Sequence, residues 1–152
     1  MKKLFIILSL FCLVGCGGFQ ITDSSTHKVL AYSSGKLMAI TINKQVVSGN
    51  VRKDLDKDLT TAWVGFMQDN SAKELVDSAA MTAFYNECLF ILTEGIHDPY
   101  GLIGDLTALL TVFSAQMDPE SNQMISVRPV PYSVLQFFER GYDNGRRVVI
   151  DR

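Results

Sequence analysis

The stretch LAYSSGKLMAI, residues 30–40, decides how the chain packs, because Ala31, Gly35 and Ala39 recur within it at four-residue spacing. On a helix that spacing aligns the three into one smooth ridge, which lets a neighbouring helix come close. Leu30, Leu37, Met38 and Ile40 stand around the ridge. In lipid such a stripe drives helix association, but Lys28, Lys36 and Lys44 argue against a bilayer span here. Alternation over residues 37–42 also suits a strand, so residues 29–42 are read as helix or strand. Just upstream, Asp23, Ser24, Ser25 and Thr26 are all suitable N-cap residues.

Downstream the pattern is helical. Leu55, Leu59, Ala62 and Phe66, with Trp63 and Met67 beside them, follow 4-3-4 spacing after a charged start whose Asp54 and Asp56 suit the helix dipole. Ser71-Ala72-Lys73-Glu74 has the form of a capping box, which predicts a third helix from Ser71 with Val76, Ala80, Ala83, Phe84, Cys88 and Ile91 on one face and Gly95 at its C′ position. Asp98-Pro99 predicts a fourth, carrying Leu102, Ile103, Leu106, Leu109, Leu110, Phe113 and Met117 as the most apolar helix of the mature chain. Residues 118–122 then break the pattern, and residues 124–131 should be extended, with Pro129 and Pro131 excluding an inner strand. Pro131 can open a last helix through Val134, Leu135, Phe137, Phe138 and Tyr142, which the glycines of Gly141-Tyr-Asp-Asn-Gly145 should fray or turn. The expectation is an all-α fold, a compact bundle of about five helices with one short extended, proline-containing segment.

With 152 residues, 47% hydrophobic and 20% charged, the chain has the size of one domain and is too apolar to stay disordered. A net charge of −2 lacks the basic field of a nucleic-acid binder, so no nucleic acid is expected among its partners.

Residues 1–16 carry an address. Lys2 and Lys3 precede an apolar run at residues 4–13, and Leu13-Val14-Gly15-Cys16 follows at once. The run is too short to span a bilayer, which takes about 20 residues. This stretch resembles the signal peptide of bacterial lipoprotein precursors, whose lipobox reads Leu-x-Gly/Ala-Cys. The resemblance implies cleavage between Gly15 and Cys16 and lipidation of Cys16 by several acyl chains, enough for lasting membrane attachment. It implies a division into a signal peptide at 1–15, the lipidated Cys16 with a short tether to residue 25, and one helical domain at 26–152. In that family an Asp after the cysteine often retains the protein in the inner membrane. Gly17 and Gly18 stand there instead, which favours the periplasmic leaflet of the outer membrane in a cell with two membranes. Once Cys12 leaves and Cys16 is acylated, Cys88 alone remains, so no intramolecular disulfide can form; its apolar surroundings read as core.

Motifs for chemistry are few. Asp54-x-Asp56-x-Asp58 imitates the start of a calcium loop, but Leu59 stands where glycine is needed and Gly65 where a bidentate Glu is needed. His27 and His97 are each isolated, which leaves no metal pattern; Asp98 can orient His97 as a general base, though it reads better as a helix cap. Gly101 and Gly104 read as packing. No cofactor is expected beyond the lipid on Cys16. Charge is segregated instead: +4 over residues 19–53, −10 over 54–127 and +2 over 128–152. An acidic middle can pack against the basic ends or be offered to a basic partner. Tyr132, Phe137, Phe138 and Tyr142 read first as core, and they are also the candidate partner-binding aromatics, since adjacent Phe137 and Phe138 point about 100° apart on a helix and one can face outward.

These features point to a non-enzymatic, lipid-anchored envelope protein that binds or escorts another envelope component. In anchor, length and helicity it is similar to secretin pilotins. The alternative is a cell-wall-acting enzyme or a small-ligand carrier at the membrane surface. An apolar groove would favour the first, and a buried pocket holding His97, Asp98 or Asp105 the second.

Overall fold

A computed structural model describes residues 21–95 and 128–150. Within them the order is α1 (Ser25–Val47), α2 (Leu55–Asp69), β1 (Leu75–Val76), α3 (Ser78–Gly95), β2 (Val130–Pro131) and α4 (Tyr132–Ile150). The architecture is all-α with a minimal two-stranded sheet. It has four helices among the described residues, not five; the helix expected over residues 98–117 lies outside them, as does the lipobox segment.

The segment at 29–42 is helix throughout. Of the four candidate caps Ser24 takes the position, its hydroxyl accepting from the His27 backbone N–H at 3.2 Å. The face that α1 buries is Ala31, Ser34, Gly35, Met38, Ala39 and Ile42, while the bulkier Val29 and Leu37 stay exposed. Backbone proximity, more than side-chain apolarity, has selected this face.

The partner on the ridge is α4. Asp23 accepts from the Ser133 hydroxyl, Asn144 Nδ2 donates to the Tyr32 hydroxyl at 2.9 Å, and Gly141 and Gly145 lie against the backbones of Tyr32 and Lys36. The two helices therefore run in the same direction. A Cβ on Gly35 would collide with the Phe138 carbonyl, one on Gly141 with the Tyr32 carbonyl, and one on Gly145 would stand 2.6 Å from the Lys36 carbonyl oxygen. The expectation that Gly141 and Gly145 fray or turn the chain is thus corrected. The helix continues to Ile150, because these glycines are the counter-ridge to Ala31, Gly35 and Ala39.

The second correction concerns residues 71–77. The helix expected at Ser71 begins at Ser78, where Asp77 Oδ1 accepts from the Ala80 N–H at 2.8 Å. Leu75 and Val76 are held extended by antiparallel pairing with Pro131 and Val130, and the Tyr132 N–H donates to the Glu74 carbonyl at 2.9 Å. Val76 and Val130 are fully buried beneath this pairing. Such non-local bonds outweigh the local preference of a capping box. The prolines fit, because the strand pair leaves each strand one free edge.

α2 runs opposite to α4. At one end the Tyr132 hydroxyl donates to the Met67 carbonyl at 3.2 Å, and at the other the Tyr142 hydroxyl donates to Asp56 Oδ1 at 2.6 Å. Arg146 Nε reaches the second oxygen of Asp56 at 3.0 Å. Between these ties the core is aromatic: Trp63 lies 5.2 Å from Phe84, edge-on, and 4.9 Å from Phe138, while Phe66 and Phe84 stack at 4.3 Å.

The glycine contacts give a stability test. Gly141→Ala or Gly35→Ala should cost about 2–3 kcal/mol in urea unfolding followed by circular dichroism, because each methyl meets backbone that cannot step aside. Gly65→Ala, whose methyl meets open space, should instead gain up to about 1 kcal/mol from helix propensity.

Candidate functional site

Two concave features flank α2. The first is a cleft of about 100 Å³ lined by Met38, Leu59, Trp63, Phe84, Cys88, Phe138 and Tyr142, with Thr60, Val64, Glu139 and Asp143 completing it. The 4-3-4 spacing of α2 puts Leu59, Trp63 and Phe66 on its buried face. Glu139 and Asp143 are one helical turn apart on α4, which brings both carboxylates to the same side.

The charge environment of this cleft is one-sided. Burial holds the Glu139 carboxyl above its ordinary range, and the Asp143 charge adds to that, against a smaller opposing effect of Arg140. Nearby bases are engaged elsewhere: Arg146 binds Asp56, and the Arg140 guanidinium lies 5.3 Å from the centre of the Phe137 ring. Burial also raises the Tyr142 phenol, with the Asp56 carboxylate beside it reinforcing the effect, and pushes the Cys88 thiol up to about 12. Cys88 is a free, buried core residue, and a thiol so held is a poor nucleophile. The indole Nε1 of Trp63 is buried and has no hydrogen-bond partner among the described residues.

The second feature is a broader groove of about 820 Å³ between α2 and α3. Ala62, Gly65, Phe66, Ala80, Ala83, Phe84, Phe90 and Ile91 give it an apolar lining, and Asp58, Asp69, Glu87 and Glu94 stand along it. The two bases in the lining are already paired, Arg52 with Asp58 at 2.5 Å and Lys73 with Asp77 at 2.9 Å. Phe90 is 61% exposed.

The residues singled out from the sequence fall in several places. Phe138 and Tyr142 are buried core members and line the cleft; Tyr132 and Phe137 are half-buried, Phe137 lying between Lys28 and Arg140. Asp54 is exposed, Asp58 pairs with Arg52, and Asp56 ties α2 to α4. His27 belongs to the cap region, its Nδ1 accepting from the Thr22 N–H at 3.0 Å. Gly15, Cys16, His97, Asp98, Gly101, Gly104 and Asp105 lie outside the described residues. Sequence reasoning missed Glu139 and Asp143 as a rim; their four-residue spacing was the available signal, but nothing local indicated which aromatics they would face. Among the described residues no group of three or more His, Cys, Asp or Glu is placed to hold a metal ion. No described helix is long and apolar enough to cross a membrane.

No family model, no curated protein and no solved structure matches this chain.

The raised Glu139 carboxyl has a pH consequence. The folded state binds this proton more tightly than the unfolded chain, so its contribution to stability is full at pH below the ordinary glutamate range and declines as pH rises through the raised folded value. Glu139→Gln should therefore flatten the fall in melting temperature between about pH 4 and pH 7, and should melt no lower than the parent at neutral pH. An unchanged pH profile in differential scanning calorimetry would contradict this assignment.

Proposed function

We infer that the chain is a non-enzymatic, lipid-anchored envelope protein that binds or escorts another envelope component, in a role like that of secretin pilotins. The observation that carries this reading is the α2/α3 groove, with its apolar lining, exposed Phe90 and acidic border. Grooves of this kind accept the apolar face of an amphipathic helix, and carboxylates along the border select a basic one. The acidic bias of residues 54–127, at −10, supports the same choice of partner charge. The lipobox-like segment supports placement at the membrane surface, with Cys16 as the anchor and the periplasmic leaflet of the outer membrane as its site in a two-membrane cell.

Crosslinking and pulldown of the lipidated protein from its own envelope tests the reading, with Cys16→Ser as the anchoring control. One envelope protein should be recovered in stoichiometric amount from the parent. Phe90→Lys, at an exposed position on the lining, should lose it by about tenfold or more, as loss of an aromatic anchor does. Recovery of no specific protein, or recovery insensitive to Phe90→Lys, overturns the proposal.

A further inference from the structure

The cleft on the other side of α2 carries a different set of groups. Its inner wall is aromatic and aliphatic, from Trp63, Phe84, Phe138 and Leu59, and its volume of about 100 Å³ suits a body of a few carbon atoms. Two carboxylates, Glu139 and Asp143, share its α4 side, and neither is ion-paired to another described residue. Glu139 is half-buried beside the exposed Asp143, and a cation placed between them would relieve their repulsion and offset the desolvation of Glu139. The apolar wall of the cleft accepts the carbon chain of such a cation.

We propose that this cleft is a binding site for a small organic cation, an amine with a short apolar body whose ammonium group sits between Glu139 and Asp143. The body lies against Trp63 and Phe138, and the charge stays at the mouth, where the carboxylates keep access to water. The site shares Phe84 with the α2/α3 groove but lies on another face of α2, and it does not depend on the partner-binding role.

Trp63 is the chain's single tryptophan, so its fluorescence reports the cleft directly. The full-length chain in non-ionic detergent is titrated with n-hexylammonium, and in parallel with hexanoate and hexanol as anionic and neutral counterparts of similar length. The expected result is a saturable change in Trp63 emission with hexylammonium at a Kd of about 1 mM or below, and at least tenfold weaker binding of hexanoate. The double variant Glu139→Gln, Asp143→Asn should lose the preference for hexylammonium over hexanol while still binding hexanol, which separates loss of charge recognition from loss of the fold. Val64→Phe, at an exposed position on the lining, should block both. A response to hexanoate equal to that to hexylammonium, a preference that survives the double variant, or no saturable response to hexylammonium would overturn the proposal.

Discussion

The close approach of two parallel helix backbones governs the rest of this structure. α1 offers Ala31, Gly35 and Ala39, α4 answers with Gly141 and Gly145, and main chain meets main chain with nothing larger than the Ala39 methyl at these glycines. Dispersion across such a surface is gained over many short contacts, each individually small. It also fixes the rotation of both helices about their axes, because a turn in either direction would bring a side chain into the seam. That rotation aims Phe138 and Tyr142 at α2 and leaves Phe137 on the outside. The aromatic core and the cleft beside it follow from this orientation.

Asp56 shows how the acidic helix start has been used. Its two oxygens are taken by the Tyr142 hydroxyl and the Arg146 guanidinium, both charge-assisted contacts that link the first turn of α2 to the second half of α4. The segregated charge of the chain is thus partly consumed inside the fold, where basic ends meet the acidic middle. Among the described residues, Asp69, Glu87 and Glu94 of the acidic middle stand along the α2/α3 groove, and Glu139 and Asp143 of the C-terminal part stand at the rim of the cleft. The two concavities differ accordingly: one is long and open, suited to a helix, and the other is small and walled by rings.

Much of the helical architecture was legible because it rests on local periodicity. The Leu55–Phe66 spacing located α2, and the small-residue repeat at 31–39 announced a close neighbour. What stayed hidden was the identity of that neighbour, since a glycine in mid-helix reads as a breaker unless its counterpart ridge is known. Residues 71–77 misled for a related reason: their capping box is a local signal, whereas the pairing of Leu75 with Pro131 is set by the whole fold. The lining of the cleft was opaque too. Cys88 was readable as core, but the meeting of α2, α3 and α4 aromatics with two α4 carboxylates depends on helix rotation, which periodicity alone does not specify.

The parallel arrangement of α1 and α4 has a consequence for how the molecule would stand on a surface. Both helices begin at the same end, where Asp23 meets Ser133, and this is also the end at which the tether would join the body. Two positive dipole ends, each equivalent to about half an elementary charge, would then lie on the tether side together, offset in part by the negative end of α2, which meets the start of α4 there. From that end the 23 residues of α1 extend about 35 Å through the body.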